Sequence, residues 1–121
     1  MSTPKTFEDF AAWQAARELT NEVYALCRHA PISRDFGLVD QLRRAAVSVM
    51  NNIAEGGETF HVAEKIQFYN FARRSWGEVR SLNYVLIDHH DVSAAKHTAF
   101  GERCVRHGRL VSGLMRFLNQ S

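Results

Sequence analysis

The stretch Phe100-Gly101-Glu102-Arg103-Cys104-Val105-Arg106-His107-Gly108-Arg109-Leu110-Val111-Ser112-Gly113-Leu114-Met115-Arg116-Phe117-Leu118 decides the fold. Phe100, Cys104, His107, Val111, Leu114 and Leu118 step alternately by four and three. At 3.6 residues per turn this spacing lines one seam of an α-helix, the seam of a left-handed bundle. The arginines of the stretch lie mostly off that seam. A long helix with a single apolar seam must bury it against other helices.

Three more helices precede it. The spacing predicts one from about Phe60 to His90, with Phe68, Ala72, Ser75, Val79, Leu82 and Leu86 along its seam. Gly77 costs that helix roughly 1 kcal/mol relative to alanine, which suggests a close helix contact there. Before it, Leu38 to Glu55 carries Leu38, Leu42, Ala45, Val49 and Asn52, and Gly56-Gly57 is expected to end it as a C-cap. The first helix is expected from about Phe7 to Ala30, with Ala12, Ala16, Leu19, Val23 and Leu26 on one face, extended by Trp13. Thr6-Phe7-Glu8-Asp9 reads as its capping signal, and Pro31 stops it. Pro4 falls where that helix would be beginning. Asp91 or Ser93 is expected to cap the last helix.

Period-two alternation and Asn-Gly or Asp-Gly hairpin turns are missing, so strands are not expected. Short links make successive helices antiparallel neighbours. The expected architecture is all-α: an antiparallel up-down-up-down four-helix bundle, with residues 1–121 as a single domain. That topology sets Cys27 near the level of Cys104.

At 121 residues one core forms without staples, and 45% apolar with 23% charged residues is the balance of a folded chain. No apolar run approaches the roughly 18 residues that span a bilayer, and no secretory h-region opens the chain. No membrane association is expected. Cys27 and Cys104 both fall at apolar helical positions and read as buried, reduced thiols in the cytoplasm.

The two middle helices carry more apolar surface than one bundle needs. Phe68, Tyr69, Phe71 and Trp76 fall within nine residues and cannot share one seam. The second helix adds Ala46, Val47, Met50, Ile53 and Ala54 to its seam. A helix apolar on more than one side is deeply buried or lies at an interface. Arg43 and Arg44 sit among alanines and valines, and Glu55 ends a helix whose dipole disfavours it, so each calls for a partner. A self-association surface is therefore expected on Arg43, Arg44, Val47, Met50, Glu55, Tyr69, Phe71, Trp76 and Glu78.

Signs of catalysis are weak. Asp88-His89-His90-Asp91 with His97 is the one metal-like cluster, but it straddles a helix end and lacks the Glu-x-x-His pattern of bundle metal sites. Polar turn residues with an N-cap explain it as well. His107 reads as a hydrogen-bonded seam residue. Ser48 and Ser75 lack an activating context, and no Gly-rich phosphate loop occurs. No enzyme, cofactor or catalytic residue is expected.

Charge is uneven along the chain. The formal total is +2, but residues 94–121 carry Lys96, Arg103, Arg106, Arg109 and Arg116 against Glu102 alone. These five are the candidate phosphate-contacting residues. A solvated outer face balanced by acids of the first helix explains them equally well in a single subunit.

Several stretches in order resemble a known family. They are Phe7-Glu8-Asp9-Phe10 with Trp13-Gln14-x-Ala16, then Phe36-Gly37-Leu38-x-x-Gln41-Leu42-Arg43-Arg44-Ala45-Ala46-Val47-Ser48-Val49, then Asn52-Ile53-Ala54-Glu55-Gly56, and Ser75-x-x-Glu78. The chain resembles the four-helix-bundle proteins first noticed in intervening sequences of bacterial 23S rRNA genes, a fold family that includes the accessory protein of diversity-generating retroelements. Two places depart: Gly57-Glu58-Thr59-Phe60 replaces a Gly-Arg-Ser type of turn, and Val79 follows Glu78 where relatives carry leucine. The lost turn arginine weakens any phosphate role for that loop.

The resemblance implies ring-shaped homopentamers, and in the retroelement proteins binding to nucleic acid and to a reverse transcriptase. The first expectation is thus a homopentameric protein that contacts RNA or DNA through phosphates, without catalysis. The second is a scaffold that docks a protein partner such as a reverse transcriptase. The third is a metal site at the turn between the third and fourth helices.

Overall fold

The computed structural model describes residues 6–119. Its helices are α1 (Ala11–Cys27), α2 (Phe36–Glu58), α3 (Val62–His89) and α4 (Ala94–Asn119), with 3-10 turns at Phe7–Asp9 and Ile32–Arg34. The chain is all-α, and the described residues include no strand. Pro4 lies outside the described residues.

Pairings between neighbours fix the directions. Thr20 Oγ1 donates to Ala16 O at 2.9 Å and sits 3.3 Å from Ala46 O, while Phe7 and Phe10 meet Gly57. Positions thus rise along α1 as they fall along α2. Across α2 and α3, Gly56 meets Tyr69, Ser48 Oγ lies 2.9 Å from Ser75 Oγ, and Asp35 reaches His90. Across α3 and α4, Trp76 meets His107 and Asn83 meets His97. Each successive pair runs antiparallel, and Glu22 with Arg103 ties α1 to α4.

One apolar cluster draws on all four helices, including Leu19, Leu42, Ile53, Leu86 and Val111. Cys27 and Cys104 are both buried in it as free thiols. Trp76 and Tyr69 belong to it as well, 2% and 3% exposed. They were expected on a self-association surface, and the fold corrects this. Tyr69 fills the space that Gly56 leaves open on α2, and Trp76 packs on α4 against His107 and Gly108.

Arg43 and Arg44 also find partners inside the chain. The Arg43 guanidinium lies 4.9 Å from the centre of the Tyr24 ring, and Arg44 Nε donates to Asp40 Oδ2 at 2.9 Å, one turn back on α2. Arg44 thus has its ion pair within the chain, while Arg43 Nε stays buried without a hydrogen-bond partner among the described residues. Val47 borders the α1–α2 groove beside Tyr24, Met50 is half-buried against the core, and Glu55, Phe71 and Glu78 are exposed.

Several helix ends differ from expectation for local reasons. Phe10 is extended (φ −74°, ψ 128°), so the chain enters α1 through a separate 3-10 turn, and Thr6 makes no side-chain cap bond. The break sets the Phe7 ring against Trp13 and puts Phe7 and Phe10 over Gly57. At its other end α1 stops at Cys27, where Arg28 N–H and His29 N–H donate three residues back, to Ala25 O and Leu26 O. Pro31 disfavours helical backbone just before it, so the last turn tightens early.

α2 begins two residues sooner than its apolar spacing suggests, because the Asp35 carboxylate accepts from Leu38 N–H at 3.3 Å. It also runs through Gly56-Gly57 to Glu58. Gly56 is not a C-cap: a Cβ there would lie 2.5 Å from the Tyr69 ring. Lys65 Nζ instead donates to Gly56 O at 2.9 Å, satisfying a carbonyl at that helix end. Gly77 reverses expectation the other way, since a Cβ there would touch nothing within 4 Å. Ser93, not Asp91, caps α4, accepting from Lys96 N–H at 3.1 Å. Asp91 takes the left-handed conformation (φ 53°) that turns the chain from α3 into α4.

Candidate nucleic-acid interface

On its α4 flank, α3 carries Arg73, Gly77, Arg80 and Tyr84 at intervals of four, three and four. α4 answers with Gly101, Val105, Gly108 and Ser112 at the same intervals. The two rows enclose two adjoining hollows of about 630 and 380 Å³, which share Arg80, Val105 and Arg109. Glycine keeps them open. A Cβ on Gly101 would come no nearer than 3.6 Å to Asn83 Nδ2, and one on Gly108 no nearer than 3.9 Å to Trp76.

Arginines from both helices converge here. Arg73, Arg74 and Arg80 come from α3, and Arg106 and Arg109 from α4. Glu102 is the one carboxylate lining the hollows. Arg73 Nη2 donates to Asn70 Oδ1 at 2.9 Å. Among the described residues, Arg74, Arg80, Arg106 and Arg109 have no ion-pair partner. Clustered like charge is unfavourable in the free protein and is relieved by a polyanion, so the groove suits phosphates.

At one end of the groove stands Tyr84, 61% exposed. The His97 ring packs against it in a T-shaped contact, with centroids 4.7 Å apart. Two bonds hold that histidine: Asn83 Nδ2 donates to His97 O at 2.9 Å, and His97 Nδ1 lies 3.2 Å from Asn83 O. The pair thus locks α3 to α4 beside the exposed ring.

Cys104 borders the other hollow but is fully buried. Burial pushes its thiol up to about 12, and the Glu22 charge adds to that against the pull of Arg103 and Arg80. Burial also raises Cys27, against the opposing charge and hydrogen bond of Arg43. Both behave as small hydrophobes and not as nucleophiles.

Of the five basic residues expected to meet phosphate, Arg106 and Arg109 line the groove. Arg103 turns to α1 instead: its Nε lies 3.1 Å from Glu22 Oε1, and its Nη2 donates to Glu22 Oε2 at 3.2 Å. Lys96 borders a separate hollow near the α3–α4 turn, together with Glu22 and Asp91. Arg116 is exposed in the last turn of α4 and lines neither hollow of the groove. An arginine row stepping by three drifts around a helix, which divides these residues among different faces.

Arg73, Arg74, Arg80 and Tyr84 were missed in the sequence. The signal for Arg73, Arg80 and Tyr84 is the four-three-four row on α3, masked by Gly77, which is the open floor of a groove and not a helix contact; Arg74 lies off that row.

The metal-like cluster does not assemble. His90 Nε2 lies 2.8 Å from Asp35 Oδ2, His97 turns to Asn83, and Asp88 and His89 are exposed. Among the described residues no three His, Cys, Asp or Glu side chains gather as metal ligands. Nor is any helix of the described residues long and apolar enough to cross a membrane.

A crystal structure of a protein of unknown function from the S23 ribosomal protein family of Bacteroides thetaiotaomicron superposes with a TM-score of 0.79 at 16% identity, over 87% of this chain and 95% of that one. At that identity the likeness establishes the fold. No curated protein matches the chain. The profile of the 23S rRNA-intervening sequence protein matches residues 8–113, nearly the whole of it. The chain belongs to the 23S rRNA-intervening sequence protein family.

Proposed function

We propose that this protein is a non-enzymatic, homo-oligomeric nucleic-acid-binding protein whose α3–α4 groove holds phosphates. One observation carries the reading: five arginines from two helices line one open groove, with Glu102 as the sole carboxylate among the lining residues. Binding proceeds by displacement of counterions from the nucleic-acid backbone and needs no base-reading motif. A cytoplasmic location goes with this reading, supported by two free buried thiols.

Self-association is the second part of the proposal. Phe71 and Val85 lie 14 residues apart on one outward face of α3, 37% and 36% exposed, with Glu78 midway between them. That face and the arginine groove flank the buried side of α3 on opposite sides, so both can be occupied at once. The count of five comes from the family resemblance.

The test is fluorescence anisotropy of labelled RNA and DNA over a salt series. Affinity should fall linearly in log salt. Alanine at Arg73, Arg80 or Arg109 should flatten the slope by roughly 0.7–0.9 each. Alanine at Arg103, which faces Glu22, should leave the slope unchanged. If nothing binds at low salt, the groove reading fails, and docking of a protein partner such as a reverse transcriptase takes its place.

A further inference from the structure

We infer that the α3–α4 groove takes a single strand of nucleic acid and stacks a base on the exposed ring of Tyr84. The inference rests on the phosphate reading above and names its substrate class.

The exposed ring argues for one strand. An unpaired strand offers the faces of its bases along with its phosphates, whereas a duplex keeps its bases stacked inside and presents only its backbone to the arginines.

Tyr84 supplies what phosphate binding alone does not require. An aromatic side chain 61% exposed on a helix forgoes burial, yet this one is held in place. The His97 ring packs against it in a T-shaped contact, and the Asn83–His97 bonds fix that histidine. One such contact engages at most one face of the Tyr84 ring and leaves the other for stacking. Arg80, Arg106 and Tyr84 line the same hollow, so a strand whose phosphates pair with the arginines brings its bases to the ring. Aromatic rings beside a basic track are the pattern of single-strand binding without sequence preference, because every base has a π-face.

The experiment compares wild type, Tyr84→Ala and Tyr84→Phe on labelled single strands of RNA and of DNA, on a duplex of equal length, and on an abasic DNA strand of equal charge. Helical content by circular dichroism confirms that the exposed substitution leaves the fold intact. Tyr84→Ala should weaken binding of base-bearing single strands by about tenfold, with the salt slope unchanged. It should leave the abasic strand unaffected, and Tyr84→Phe should bind as wild type does. Equal losses on RNA and DNA mean that the ring reads the base alone, and a larger loss on one names the preferred source.

Two results overturn the inference while sparing the phosphate reading: salt-dependent binding that Tyr84→Ala does not weaken, or a duplex that binds as tightly as the single strand. A loss shared by Tyr84→Phe also overturns it, since the hydroxyl and not the ring would then be responsible. Failure of the wild type to bind any strand removes both readings together.

Discussion

Gly56 and Gly77 both lie inside helices, and the structure gives them opposite reasons. At Gly56 the missing side chain admits Tyr69, whose Cε1 would stand 2.5 Å from an added Cβ. Tyr69 is buried and cannot swing away, so the added methyl overpacks the site at a cost of about 1–3 kcal/mol. The helix-propensity gain of Gly→Ala, at most about 1 kcal/mol, works against that cost. Gly77 has open space, so Gly77→Ala should gain about 0.4–1 kcal/mol, chiefly by restricting the unfolded chain. Urea unfolding of both variants checks the contrast. A Gly56→Ala protein more stable than Gly77→Ala would mean that Tyr69 does not pack against α2 as described.

Among the elements, the start of α2 joins two distant parts of the chain. Asp35 caps that helix through Leu38 N–H and holds His90 at the end of α3. The His90 hydrogen bond foremost, then the Leu38 N–H, keeps the Asp35 carboxyl below its ordinary value of 3.8. A lowered carboxyl stabilises the fold at pH above that ordinary value and ceases to do so as pH falls through the depressed one, because it is then protonated in folded and unfolded chains alike. Asp35→Ala should therefore unfold at lower urea than wild type near neutral pH, and the gap should close as acidification passes below 3.8. Asp35→Asn, which retains a capping side chain, should lose less at neutral pH. A gap that stays constant with pH would mean that neither the His90 contact nor the Leu38 cap draws on the charge of the carboxylate.

The same element shows what was legible beforehand. Leu38, Leu42, Ala45 and Val49 announced α2 by spacing, because burial on one face imposes a helical period. Its ends were misplaced because they are decided by Asp35 and Lys65, single polar contacts that leave no periodic trace. The groove was half legible for a related reason. Arg106 and Arg109 stood out as charge near one end of the chain, whereas Arg73 and Arg80 are brought to them by the packing of α3 on α4. Periodicity along one helix does not reveal which row of its neighbour it will face.

For the whole molecule, the assembly proposal has consequences that charge and exposure make testable. The single chain carries a formal +2, which becomes about +10 in a ring of five, and a ring repeats the arginine groove at fixed spacing. A modest groove then gains affinity through simultaneous engagement of one strand at several sites. The surface proposed for assembly is the outward face of α3 that carries Phe71 and Val85, since Tyr69 and Trp76 are spent in the core. Sedimentation of the purified protein should show a species near five times 13.8 kDa. Phe71→Glu with Val85→Glu should yield a folded monomer, because both side chains are already partly exposed in the single chain. That monomer should keep the groove yet bind long strands more weakly than the assembly, while short strands that fill one groove bind both alike. A wild-type protein that sediments at 13.8 kDa would end the assembly proposal and leave each groove to act by itself. An assembly untouched by the two glutamates would place its contacts elsewhere, with Phe36 and Phe60, the most exposed large apolar side chains among the described residues, as the next to test.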